Sequence, residues 1–355
     1  MRYSLDTADH DTLAPEALQQ LGARADAPVF WPLRLQNRLA LPGLAGGIVA
    51  VAFLLLAWAA AGGGHIAALP TAQVGEALFF ALSLGLIVEL AALIPRAAQG
   101  DLDALSTELT LDPTHIERLK ASLIRYQTGD VAVNATIGLA IGVLHVALLG
   151  SGWAAVSGDP LSFVLALGTV ALWAMMVQTG TLFVANARLF AHLGRSGVRV
   201  EILMLDRLRP FASAALRPML LVMVLLAAYP LMLLGTAAGL EASAAIGPVA
   251  TALLALAVVW LPLRGLRARI REARAQQIKR IDAAIAEALQ AVDKHGVPDE
   301  PQRLEALIAL RNRVQAAPAL PVGLGGIGRG LLYLALPVVT WGGKGFAEAL
   351  LNWLF

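Results

Sequence analysis

The chain contains no cysteine. That excludes disulfides, thiolate metal sites and thiol catalysis. Charge is scarce too: 15% of its 355 residues are Asp, Glu, Lys or Arg, while 58% are hydrophobic. Soluble domains average about 25% charged and roughly 45–50% apolar residues. A soluble chain this apolar lacks the polar surface to cover itself, so composition argues against an ordinary soluble enzyme. The net charge of +2 is too small for a disordered chain. It is also too small to suggest a nucleic-acid partner, although the pI is near 9.1. A mean hydropathy of +0.69 points to the lipid bilayer as the chain's solvent.

Catalytic signatures are missing as well. The sequence holds no P-loop, HExxH, G-x-S-x-G or kinase motif. No catalytic residue, cofactor or metal is expected, and the chain reads as a non-enzyme. Gly323 to Gly328 match G-x-G-x-x-G, but no strand precedes them, and Pro318 and Pro321 stand just before. The stretch reads as a flexible joint, because a nucleotide loop needs a strand–turn–helix setting. His10, His65, His115, His192 and His295 are scattered and read as solvated. Alternating ten-residue segments are absent, which disfavours a β-barrel, and no internal repeat supports an inverted-repeat transporter.

What the chain does have is long apolar runs. Six stretches, near 41–62, 77–95, 133–153, 161–186, 214–236 and 246–263, have the roughly 20 apolar residues that a crossing helix needs. Lipid offers the backbone no hydrogen-bond partner, so each crossing must be helical. Of the 27 Lys and Arg, 26 lie before the first run, between the second and third, between the fourth and fifth, or after the sixth, and Arg217 stands at the near edge of the fifth. Loops 63–76, 154–160 and 237–245 contain none. Basic residues collect on the cytoplasmic side, so the N-terminus is expected inside. No cleavable signal is expected, because residues 1–30 are polar. The 23 Arg against 4 Lys suggest a GC-rich bacterium and its inner membrane.

The expected fold is therefore all-α, a polytopic six-helix membrane protein. Its parts are an N-terminal tail (1–40), a transmembrane domain (41–263) with cytoplasmic loops 97–132 and 187–213, and a cytoplasmic helical hairpin with a Gly/Pro joint (264–330). Residues 331–355 fit a re-entrant or interfacial hairpin better than a seventh crossing, since Pro337 and Gly342-Gly343 interrupt them. In the tail, Asp11 or Thr12 caps a short helix through Leu18. In the first loop, Asp112-Pro113-Thr114 with Glu117 predicts a helix start. That helix carries Ile116, Leu119, Leu123 and Ile124 on one face. Apolar positions Leu266, Ile270, Ile278, Ile281, Ile285 and Leu289 recur at helical spacing, stop at Gly296 and Pro298, and resume at Leu304, Leu307, Ile308 and Val314. These stripes are expected to pack within the chain; a second copy or a partner protein binding through 266–316 is the alternative.

Glu89 is the single charged residue deep inside a run. A bare carboxylate there costs several kcal/mol, so it must be protonated, paired or facing water. Asn134, Gly138, Gly142 and His145 lie near one stripe of the third run, and Gly138 with Gly142 permits close helix approach. Gln178 makes the inner half of the fourth run polar. Glu89, Gln178 and Thr136 are thus expected to form an inner-half polar cluster, either interhelical glue or an ion or proton site, with Asn134 and His145 as further candidates. Three stretches resemble an uncharacterised family of bacterial multi-spanning membrane proteins. They are Val200–Asp206 with Pro210-Phe211 and Leu216-Arg217, then Leu263-Arg264-Gly265, and Arg329 with Leu331–Tyr333, Pro337 and Trp341–Gly343. The resemblance covers the C-terminal half and implies no activity.

Overall fold

The computed structural model describes residues 25–39, 41, 43–64, 69–149, 158–233, 242–295 and 300–318. The tail helix near Leu18, the Gly323–Gly328 joint and the segment 331–355 lie outside the described residues. Among the described residues, nine α-helices follow in chain order. They are α1 (Trp31–Leu39), α2 (Leu44–Ala60), α3 (Thr71–Leu105), α4 (Pro113–Ile124), α5 (Thr128–Leu149), α6 (Pro160–Ser196), α7 (Arg209–Ala228), α8 (Ala242–His295) and α9 (Glu300–Ala316). A 3-10 helix, Ile202–Leu208, precedes α7, and another, Tyr229–Leu233, follows it. No strand occurs among the described residues; two isolated bridges pair Val29 with Arg125 and Leu109 with Val198.

Among the described residues, four segments are long and apolar enough to cross a membrane: α3, α5, α6 and the run Ile202–Met232 that contains α7. The bent pair α1 and α2, whose axes meet at 101°, makes a fifth if it is one span. Residues 246–263, expected as the sixth, lie inside the unbroken helix α8, but most of their side chains fall outside the description. The helices outrun the apolar stretches that announced them. The second run was expected to end at 95, yet α3 continues through Pro95 to Leu105.

Packing separates centre from edge. In its most apolar window α3 is 61% buried, whereas α5 is 17% buried. α3 packs against α1, α2, α4, α6 and α7, while α5 lies mainly on α6. The outer faces of α2 and α5 expose Ile48, Val51, Leu55, Val133, Ile137 and Leu144. Exposed aliphatics in continuous helical rows suit lipid rather than water.

Glycine sets several of the crossings, among them α6 on α8, where a Cβ on Gly265 would strike the Ala191 carbonyl. A Cβ on Gly46 of α2 would strike the Gly85 carbonyl of α3, and a Cβ on Gly85 would lie 2.6 Å from the Gly46 carbonyl. On α5, a Cβ on Gly138 would lie 2.5 Å from Ala174 Cα, and one on Gly142 2.6 Å from Val170 Cα. The pair read as a close-approach motif is therefore the α5–α6 contact itself.

The largest buried cluster sits at one end of the bundle, here called the α4 end. It joins Leu102 and Leu105 of α3, Leu119 and Leu123 of α4, Phe190 and Leu193 of α6, Leu208, Phe211 of α7, Leu266 and Ile270 of α8, and Val314 of α9. The segments 97–132, 187–213 and 264–318 thus share one core. The charge distribution had placed all three on the same side.

Candidate functional site

Glu89 lies at the elbow between α1 and α2, not in open hydrocarbon. Its Oε1 accepts from the Gly43 amide at 2.8 Å and from Gln36 Nε2 at 2.5 Å. Gly43 is the N-cap residue of α2, at φ 82°, in the left-handed region that glycine enters without strain. Its own side chain cannot cap, so Glu89 supplies an acceptor from 46 residues away. The carboxylate also faces the positive end of the α2 dipole. Close approach makes this reach possible, because a Cβ on Gly46 would come within 3.2 Å of Glu89 Cβ.

Gln36 is 5% exposed and uses both ends of its amide. Its Oε1 accepts from Arg96 Nη1 at 2.6 Å. A second Arg96 nitrogen donates to Asn37 Oδ1. Arg96 thus reaches Glu89 through Gln36 and fastens α1 along α3. One atom remains unmatched: Glu89 Oε2 is buried without a hydrogen-bond partner.

The other predicted site residues take different side-chain partners, although Asn134 reaches the Gln178 carbonyl through Tyr126 and Thr181. Gln178 Oε1 accepts from the Trp31 indole at 3.1 Å. Asn134 donates to the Tyr126 hydroxyl at 2.9 Å, which donates to Thr181 Oγ1 at 2.8 Å. Thr136 is exposed and donates within α5, to Ala132 O at 2.9 Å. His145 stands beside Trp173, ring centres 6.0 Å apart. Glu89, Gln178 and Thr136 are therefore not joined by a direct hydrogen bond. Two of the three, Glu89 and Gln178, do meet the same element, α1, through Gln36 and Trp31. Sequence reading missed Gln36, Asn37, Gly43 and Arg96. The spacing of Glu89 and Arg96, two turns apart, was the available signal.

Further along α3, Arg217 of α7 donates to Ala97 O at 2.7 Å and pairs with Asp101. Arg217 also lines a small cavity with Ile94, Phe183, Asn186 and Phe190. Asn186 donates to Leu123 O at 3.1 Å. Each of these contacts ties one element to another. No cluster of three His, Asp or Glu suited to a metal occurs among the described residues.

The described residues define an all-helical protein with several helices long and apolar enough to cross a membrane, and a polar latch at the α1–α2 elbow. No protein-family model, curated protein or solved structure matches the chain.

Proposed function

We propose that the chain is an integral protein of a bacterial inner membrane, its N-terminus and its α4 end cytoplasmic, with a structural, scaffolding or signalling-accessory role. One observation carries this reading. The shared core at the α4 end joins the extensions of α3, α6 and α8 to α4 and α9, making a helical platform continuous with the bundle. Such a platform suits holding a partner protein or a second copy at the membrane. α8 supports it, because 54 unbroken residues reach about 80 Å if straight. Leu289 of α8 and Ile308 of α9 stay exposed, at 51% and 44%.

The test is to replace Leu289 and Ile308 by Asp and read self-association and cross-linked partners in cells. Both positions are on the surface, so the fold should survive. The proposal predicts loss of association; unchanged association in the double variant removes the platform's role.

A second reading is a channel or transporter for a small ion or proton. The observation that favours it is the buried, unpartnered Glu89 Oε2. Glu89→Gln keeps an acceptor for Gly43 and Gln36 but cannot ionise. Proton flux into proteoliposomes that vanishes in Glu89→Gln would support the pathway, and unchanged flux would end it.

A further inference from the structure

We propose that α1 and the start of α2 bind one anionic phospholipid, with Arg34 and Arg38 holding its phosphate and Leu41, Leu44 and Ile48 lying along its acyl chain. The inference rests on the reading of α2 as membrane-embedded.

α1 is two-faced. Pro32, Leu33 and Gln36 are buried, while Arg34, Asn37 and Arg38 are exposed. Arg34 and Arg38 stand one turn apart on one face, where like charges repel. Neighbouring cations are engaged: Arg96 holds Gln36 and Asn37, and Arg125 donates to Ala27 O at 3.3 Å. The Arg34 and Arg38 side chains have no ion pair or hydrogen bond among the described residues. Two adjacent guanidinium groups left open suit an oxyanion, since each planar fork takes phosphate through two parallel hydrogen bonds.

The geometry selects a lipid. α1 meets α2 at 101°, so when α2 crosses the bilayer α1 lies along its surface. The next exposed side chains are apolar: Leu41 at 61%, Leu44 at 38% and Ile48 at 47%. Basic headgroup level thus passes directly into aliphatic depth, as it does along a phospholipid. Trp31 begins α1, at the depth where indole rings collect.

The test uses the full-length protein in mild detergent, with phosphatidylglycerol or phosphatidylcholine added and retained lipid counted by native mass spectrometry. Phosphatidylglycerol should bind in preference. The variant Arg34→Gln with Arg38→Gln should weaken it about thirty-fold, near five-fold for each arginine. Arg267→Gln with Arg271→Gln removes the same charge from exposed positions on α8 and should change nothing. Excess inorganic phosphate should fail to displace the lipid. Wild-type binding by the α1 variant overturns the proposal, as do equal losses in the α8 variant, equal retention of both lipids, or displacement by phosphate. The membrane side of α1 is read separately by cysteine labelling, so an error in orientation and an error in lipid binding are distinguishable.

Discussion

At the end of the bundle that holds Ala57, Phe79, Phe80 and Tyr229, packing is apolar and aromatic, with Phe79 and Tyr229 edge to face at 5.8 Å. At the α4 end, an apolar core of similar kind is ringed by charge. Every ion pair among the described residues belongs to residues 97–132, 187–217 or 264–318, including Lys120 with Asp103 at 2.6 Å and Arg207 with Glu108 at 3.1 Å. On the membrane reading proposed above, the difference is one of solvent. Close approach at glycine and edge-to-face aromatic pairs occur at both ends, with Gly265 against Ala191 and Phe190 against Phe211 at the α4 end. What the α4 end adds is ion pairs and a capped helix, which extend the fold into a second layer. The Glu89 latch lies between the two ends along α3.

The comparison sharpens first at the core. Phe211→Ala empties a side chain with 0% exposure that meets Phe190 edge to face at 5.9 Å. Denaturant unfolding in micelles should show a loss of about 3–5 kcal/mol. Leu144→Ala, 56% exposed on the lipid face of α5, should stay within about 0.5 kcal/mol. Equal losses would erase the distinction between core and lipid face.

The second largest effect belongs to the glycine crossing. Gly46→Ala forces α2 away from α3 and should cost about 1–3 kcal/mol in the same assay. Gly47→Ala is the control, because nothing lies within 4 Å of a Cβ there. A neutral Gly46→Ala would show that α2 does not rest on α3 as described.

Next comes the latch. Glu89→Ala leaves Gln36 Nε2 and the Gly43 amide without their acceptor and should cost about 1–3 kcal/mol. Glu89→Gln should recover most of that loss, since its carbonyl still accepts. A Gln variant as weak as Ala would mean that the charge itself holds the elbow.

The smallest effect is at the α4 cap. The Thr114 hydroxyl and amide both donate to Asp112 and hold its carboxyl below the ordinary aspartate range. A depressed folded-state value stabilises above the unfolded value and is lost as pH falls through the folded one. Protection of the Thr114 amide should therefore hold at neutral pH and fade only below the usual aspartate range. Fading at higher pH would contradict the cap.

Local signals were legible in the sequence. Asp112-Pro113-Thr114 announced α4, and Ile116, Leu119 and Leu123 are buried as their spacing implied. Gly138 and Gly142 announced a close helix contact. The interruption near Gly296 falls between α8 and α9. Signals that depend on distant partners were not legible. The acceptor role of Glu89 needs Gln36, 53 residues away, and no periodicity links the two. The apolar run ends at 95, but the helix does not, and α4 and α7 pack on α3. Val198 to Leu208 alternate only weakly and read as an amphipathic surface helix or a linker, yet Ile202, Leu205 and Leu208 of the 3-10 turn all enter the core.

The most direct measurement of the central claim uses the chain's lack of cysteine. Single cysteines can replace Ala104, exposed near the α4 end of α3, and Gly64, exposed beyond the far end of α2. A membrane-impermeant maleimide applied to intact cells should label position 64 and leave position 104 untouched until the membrane is opened. Labelling of position 104 in intact cells would contradict an inward-facing platform beneath the lipid-exposed bundle.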